Sequence, residues 1–262
     1  DLLALPAKQT ASVDLSTVRI AGCGGAPTPP ETRIAFEERF GFRYVHAYGT
    51  TEAPALVSTD PIGGERRPAS VGLPLAHLEV VIVDDAGNPL PRGVSGEVCT
   101  QAMQAGPHAG VYEPIRCYWG NPEQTAEALA GGRLHTGDCG HVDEDGYLFI
   151  TDRKKDVILR GGMNVYPKEL EDLLYRDRRI VECAVVGRPD GRLGEVPYAF
   201  VRLESGTKLS EAEITALVNE HAARFKHLAG ARVVDGFKRT AIGKIMKREL
   251  RDQLAREEAS PP

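Results

Sequence analysis

The sequence predicts an α/β segment, a β-rich segment and an α+β segment in succession, and three observations carry that order. Residues 1–60 hold an apolar run, a Gly-rich turn, a helical spacing and a second apolar run. Residues 61–152 hold short β-rich runs cut by Gly and Pro, the pattern of a small barrel-like or sandwich unit. After Asp152, strands and helices alternate, with helix-start signals at Pro167 and Ser210. At 262 residues, 42% hydrophobic and 26% charged, the chain can form one large domain or two smaller ones with ample core.

Leu15–Ala21 is the first expected strand, running into the turn Gly22-Cys23-Gly24-Gly25-Ala26-Pro27. A helix is expected over Pro30–Phe40, with Ile34, Ala35 and Phe36 apolar between charges, and a strand over Phe42–Ala47. In the β-rich part, strands are expected at Leu78–Val83 and Gly96–Thr100, separated by the turn Asp84–Asn88. Val142 and Tyr147–Ile150 flank Asp143-Glu144-Asp145-Gly146, a hairpin signal whose acidic residues lack the spaced ligands of a calcium loop. Beyond Asp152 the expected order is strand Val157–Arg160, helix Pro167–Arg176, strands Val181–Gly187 and Tyr198–Leu203, helix Ser210–Phe225 and strand Arg232–Val234. A last helix follows from about Ile245. Pro167 suits a first helical position, Leu170, Leu173 and Leu174 make one apolar stripe, and Ser210 with Glu213 makes a capping box.

Net charge is −5, unevenly spread. Residues 1–152 carry 10 Lys and Arg against 20 Asp and Glu; residues 153–262 carry 22 against 17. A basic part joined to an acidic part suits docking of the two and a phosphate-rich ligand between them; solvated faces of different composition would produce the same split. No apolar run reaches membrane-span length and no signal peptide opens the chain, so neither a membrane span nor a nucleic-acid partner is expected. The five cysteines are scattered, odd in number and without a CxxC pair, which favours thiols in a reducing cytoplasm over disulfides or zinc.

Five short stretches could carry chemistry. Tyr48-Gly49-Thr50-Thr51-Glu52 can offer hydroxyl and backbone donors to phosphate and a carboxylate to Mg²⁺, although alone it reads as an ordinary Ser/Thr turn. Thr136-Gly137-Asp138 could present a carboxylate to a ribose diol, or be a common Gly-Asp turn. Arg153 suits ribose and phosphate oxygens, or a surface salt bridge. Gly161-Gly162 permits positive φ or the close approach of a ligand, or simply a strand-to-helix turn. Gly243-Lys244 presents a mobile point charge, or one more solvated lysine in a basic helix.

Their joint order is more specific than any one of them. Gly24-Gly25-Ala26, Tyr48–Glu52, Thr136–Asp138, Asp152–Glu171 and Gly243-Lys244 resemble, in sequence, the motifs of the adenylate-forming enzymes: acyl-CoA ligases, peptide-synthetase adenylation domains and luciferases. Tyr118-Trp119-Gly120-Asn121-Pro122-Glu123 and Val185-Val186-Gly187-Arg188-Pro189-Asp190 fill the gaps in the same style. The resemblance implies the end of a large N-terminal domain over 1–152 (α/β over 1–60, β-rich over 61–152), then a mobile α+β lid over 153–262. It implies ATP or AMP, Mg²⁺ and coenzyme A as ligands and a carboxylic acid as substrate. Gly24, Gly25, Ala26 and Tyr48 would line the adenine site, Thr51 would meet the α-phosphate and Glu52 the Mg²⁺. Asp138 and Arg153 would hold the ribose, and Lys155 would be the hinge. Lys244 would be the catalytic lysine, and Gly161 and Gly162 would line the thioester-forming face. The wording Arg160-Gly-Gly-Met-Asn-Val-Tyr-Pro-Lys-Glu-Leu-Glu171 is similar to acyl- and aryl-CoA ligases; transfer to a carrier-protein thiol and a non-catalytic nucleotide-binding fragment are the alternatives.

Two departures stand out. The family's Ser/Thr/Gly-rich phosphate loop is not in this sequence, so residue 1 is expected to fall inside the large domain and the chain alone to be inactive. The approach to Lys244, Gly236–Ile242, lacks the family's prolines. His46, Ala47, Gly49 and Ala55 are the visible acyl-pocket candidates, and His46 reads equally as a packed strand residue.

Overall fold

Alternating apolar residues build three separate sheets, and the helices cover them where both strand faces are apolar. The computed structural model describes residues 2–10, 13–25, 30–54, 56–240 and 243–259. The chain divides into two units, Asp1–Ile150 and Thr151–Pro262.

The first unit opens with a one-turn helix, α1 (Ala7–Thr10), and a four-stranded sheet in the order β1 (Ile20–Gly24), β2 (Arg43–Tyr48), β3 (Ser58–Thr59), β4 (Leu73–Pro74). β1 and β2 run parallel, joined by helix α2 (Pro30–Phe40); the later pairs are antiparallel. The first strand begins five residues later than the apolar run suggests. Asp14 Oδ1 accepts from the Ser16 amide at 2.9 Å and the Val18 amide bonds Leu15 O, so residues 14–18 turn instead of extending. Pairing with β2 then carries the strand through Gly24. In α2 the inward residues are Phe36 and Arg33, while Ile34 and Ala35 are exposed, contrary to the apolar reading of that face. Arg33 is buried because it meets the fully buried Asp60 carboxylate at 3.5 Å.

The β-rich part is an open four-stranded sheet, not a barrel: β5 (Leu78–Val83), β6 (Gly96–Ala102), β7 (Leu134–Val142) and β8 (Leu148–Arg153) lie in that order. A short helix, α3 (Pro122–Ala128), capped by Asn121, precedes β7. Val98, Leu134 and Leu148 pack with Val57, Leu78 and Tyr112 in its core. The acidic hairpin between β7 and β8 is clasped by Arg67, which pairs with Asp143 at 2.7 Å and with Asp145 and lies over the Tyr147 ring. The hairpin that the sequence signals at these residues therefore forms.

The second unit is a sheet in the order β10 (Met163–Val165), β9 (Ile158–Arg160), β12 (Gly194–Leu203), β11 (Ile180–Asp190), with β13 (Gly230–Val233) parallel to β12. Cys183, Val185, Ala199 and Val201 face α4 (Pro167–Leu174) and α5 (Glu211–Asn219). Val186, Tyr198 and Phe200 face Leu254 of α6 (Lys247–Ala259). Covering both faces explains why consecutive residues are apolar over Cys183–Val186 of β11 and Tyr198–Val201 of β12. The capping box forms as expected, with Glu213 N to Ser210 Oγ at 3.2 Å and Ser210 N to Glu213 Oε2 at 2.8 Å. α5 nevertheless stops at Asn219 rather than Phe225. The Asn219 side chain accepts from the Leu228 amide at 2.8 Å and donates to its carbonyl at 3.2 Å, which turns the chain back toward β13. Among the described residues no helix is long and apolar enough to cross a membrane.

Candidate active site

Gly24, Gly25, Tyr48, Thr51, Glu52 and Asp138 all lie in the first unit; Ala26 and Ala55 lie outside the described residues. Gly24 is required by close packing: a Cβ there would stand 2.9 Å from the Ala47 carbonyl oxygen of the neighbouring strand. Gly25 follows at φ +83°, in the left-handed region. β2 ends at Tyr48, whose hydroxyl donates to Asp138 Oδ2 at 2.6 Å. Two residues 90 apart in sequence, expected respectively at adenine and ribose, are thus in direct contact.

Asp138 reaches that position through a bulge, not a turn. Glu97 pairs with Cys139 and Cys99 with His135, so two steps along β6 oppose four along β7. Thr136-Gly137-Asp138 thus stand opposite Val98 alone. Gly137 takes φ +69°, Thr136 Oγ1 donates to Val98 O at 2.7 Å, and the Asp138 amide bonds Thr136 Oγ1 at 3.2 Å. A bulge bends its strand and re-aims a side chain, and here the re-aimed group is a carboxylate only 5% exposed.

Beyond β2 the chain turns at Thr50–Ala53, with Ala53 N on Thr50 O at 3.1 Å. Glu52 is held on both oxygens: Thr50 Oγ1 donates to Oε2, and the Tyr118 hydroxyl donates to Oε1 at 2.9 Å. Burial first, and then this bond to Glu52, raises the Tyr118 phenol above its ordinary pKa, so it stays a donor. Tyr118 belongs to the Tyr-Trp-Gly-Asn-Pro stretch, whose role at Glu52 sequence spacing did not disclose. Thr51 is exposed beside them. The oxygen-only donor set at Glu52 fits a hard cation such as Mg²⁺. His46 is buried in β2 and its amide donates to Asp60 Oδ2 at 3.0 Å, the packed-strand alternative.

The remaining residues lie in the second unit. Arg153 is exposed at the end of β8, and Lys155 is exposed in the 3₁₀ turn Lys154–Asp156. Arg251 of α6 ties that turn down, through the Lys155 carbonyl at 3.2 Å and Asp156 Oδ1 at 2.8 Å. Gly161 and Gly162 form a two-residue hairpin loop between β9 and β10 rather than a strand-to-helix turn. Arg160 pairs with Met163, and φ values of +57° and +81° suit the primed turns that join twisted strands. Lys244 is exposed in a loop closed by the Arg239–Ile245 bridge; its amide bonds Thr240 Oγ1 at 3.1 Å, and Gly243 takes φ +82°. Ala241 and Ile242 of this loop lie outside the described residues.

Sequence reasoning missed one half-buried network. Lys247 meets Glu171 Oε1 at 2.8 Å, the same oxygen that accepts the Val185 amide at 2.8 Å, and the Lys168 amide bonds Asp152 Oδ2 at 2.8 Å. Burial raises the Asp152 carboxyl against the pull of Lys247. The carboxylates Glu171 and Asp152 outweigh burial at Lys247 and raise its ammonium. Lys247 read as one cation in a basic helix; only the packing of α6 on β11 shows it turned inward.

Two family models match the chain: AMP-binding enzyme over residues 1–107, and AMP-binding enzyme C-terminal domain over residues 169–244. The chain is 37% identical over 241 residues to feruloyl-CoA synthase of Amycolatopsis sp, covering 92% of this chain and 47% of that protein. It is 38% identical over 250 residues to the fatty acid–[acyl-carrier-protein] ligase ScoC of Streptomyces coeruleorubidus, covering 92% and 46%. Among solved structures, ATP-bound MatB from Rhodopseudomonas palustris matches with a TM-score of 0.77 at 32% identity, over 88% of this chain and 44% of that one. The chain spans about half the length of the curated relatives it matches.

Proposed function

From the premise that this chain belongs to the adenylate-forming family of AMP-binding enzymes, we infer that it is part of an ATP-dependent carboxylate–CoA ligase. In such a reaction a carboxylate oxygen attacks the α-phosphorus of ATP and pyrophosphate leaves, giving an acyl-adenylate. The CoA thiolate then attacks the acyl carbon and AMP leaves. The observation that carries the reading furthest is the bulge that brings Asp138 to Tyr48, at the strand end that continues into Thr51 and Glu52.

In this reading Gly24, Gly25 and Ala26 leave room for adenine beside Tyr48, and Asp138 accepts from the ribose diol. Thr51 donates to the α-phosphate. Glu52, held by Tyr118, would supply the carboxylate for Mg²⁺, which neutralises phosphate charge when bound. Tyr48 fixes the Asp138 carboxylate before substrate arrives, so little reorganisation is needed on binding. From the second unit, Arg153 serves the ribose, Lys155 the hinge, Lys244 the charge that develops on the phosphate, and Gly161 and Gly162 the thioester step.

The matched protein ScoC, named as a carrier-protein ligase, supports a second reading in which a carrier thiol replaces CoA. The Gly-Gly-Met-Asn-Val-Tyr-Pro wording of residues 161–167 favours CoA. The test uses the full-length protein. Carboxylate-dependent ATP–pyrophosphate exchange should appear and be abolished by Lys244→Ala, while thioester formation from supplied acyl-adenylate survives. Absence of exchange would overturn the adenylation reading, and equal loss of both half-reactions would overturn the role of Lys244. Consumption of free CoA separates the two acceptors.

A further inference from the structure

We propose that Glu97, Cys99 and His135 form a binding site for a divalent cation of the zinc type on the β6–β7 pair. Glu97 and Cys99 are two residues apart on β6 and share one face, opposite the buried Val98. His135 on β7 is the direct ladder partner of Cys99. His135 Nδ1 stands 3.0 Å from Glu97 Oε2 and 3.4 Å from Cys99 Sγ, and the three donor atoms lie within 4.8 Å of one another. Tetrahedral zinc, with bonds of about 2.0 Å to nitrogen and oxygen and about 2.3 Å to sulfur, sets adjacent donors roughly 3.3 Å (N and O) and roughly 3.6 Å (N and S) apart. The His135–Glu97 and His135–Cys99 pairs thus stand within a few tenths of an ångström of their separations on a zinc tetrahedron, and closing the Glu97–Cys99 pair completes one face. Among the described residues it is the one group of this kind.

Charge and ligand chemistry agree with that geometry. Cys99 has no exposed surface and Glu97 is 8% exposed, so a thiolate and a carboxylate here would be costly without a cation. A dication balances both charges and leaves the buried site neutral. Binding converts the Cys99 thiol to a thiolate and releases its proton to solvent. A sulfur, nitrogen and oxygen donor set selects zinc-type cations over Mg²⁺ or Ca²⁺. Water would complete the tetrahedron as the fourth ligand. The cation would staple β6 to β7 immediately before the bulge that holds Asp138. The proposal does not rest on the ligase reading.

The test is metal binding by the full-length protein with Zn²⁺, and with Co²⁺ as a spectroscopic substitute. The expected result is one equivalent bound, with a near-ultraviolet thiolate-to-cobalt band that disappears in Cys99→Ala. His135→Ala should weaken zinc binding by at least the 10–100-fold that loss of a mere supporting bond costs. Four other cysteines offer adventitious thiolates, so a band that persists in Cys99→Ala overturns the proposal. Should Cys99→Ala fail to fold, the unmodified protein decides. No thiolate band with Co²⁺, or a melting temperature unmoved by Zn²⁺, would overturn the proposal.

Discussion

The Tyr48 hydroxyl donates a 2.6 Å hydrogen bond to Asp138 Oδ2, joining the end of a parallel strand to a bulge in a different sheet. Tyr48→Phe removes the donor and keeps the ring. A hydrogen bond to a charged group contributes about 1.5–3 kcal/mol, and because Tyr48 is half-buried the lower end applies. Denaturant titration should show a loss of about 1.5 kcal/mol, and calorimetry on the full-length protein should show weaker AMP binding.

Gly137→Ala tests the bulge itself. A Cβ at Gly137 meets nothing within 4 Å, so the whole cost is its φ of +69°. A left-handed residue other than glycine costs roughly 1–2 kcal/mol. Gly72→Ala is the contrasting case: its Cβ would stand 2.1 Å from the Thr59 carbonyl group, a backbone collision that should prevent normal folding. Thermal melts of the two variants should differ sharply.

Lys247→Ala leaves Glu171 and Asp152 without the cation that faces them. Removing one partner of a buried ion pair costs about 3–5 kcal/mol, and because this pair is only partly buried the lower end applies. The melt of the second unit should fall accordingly. Lys244→Ala, three residues away but exposed, should leave that melt unchanged.

Acid should loosen the C-terminal helix. Arg232 of β13 pairs with Glu257 of α6 at 2.8 Å, first among the causes that hold the Glu257 carboxyl down at about 2. A lowered folded-state pKa stabilises the fold above the unfolded value, near 4.5. That contribution is lost as pH falls from about 4.5 towards about 2. The pair is at the surface, so the effect should be small and weaken with salt. Glu257→Gln should flatten stability across this interval; an unchanged pH profile would contradict the assignment.

Local signals in this chain were strongest where one face or both were apolar. Pro167, the leucine stripe of α4 and the Ser210–Glu213 box placed their helices because capping and burial act within a few residues. β7 was hidden, since its bulge interrupts alternation and three polar or small residues stand where a strand should alternate. The barrel-like expectation failed for a related reason: strand spacing says nothing about whether the last strand meets the first. α5 ended early because Asn219 bonds a residue nine positions on, beyond any helical window.

The sequence by itself determined the order of its motifs and hence the family, because such motifs are runs of contiguous residues. It determined that Gly24, Gly137 and Gly162 would serve special backbone positions only as a possibility open to any glycine. The tertiary structure decided which glycine met which constraint: a strand carbonyl at Gly24, a bulge at Gly137, a hairpin at Gly162. It also decided that Tyr48 meets Asp138, that Tyr118 holds Glu52, and that Cys99 stands beside Glu97 and His135. Those contacts depend on strand register and on a bulge, which set side-chain direction across dozens of residues and leave no periodic trace in the chain.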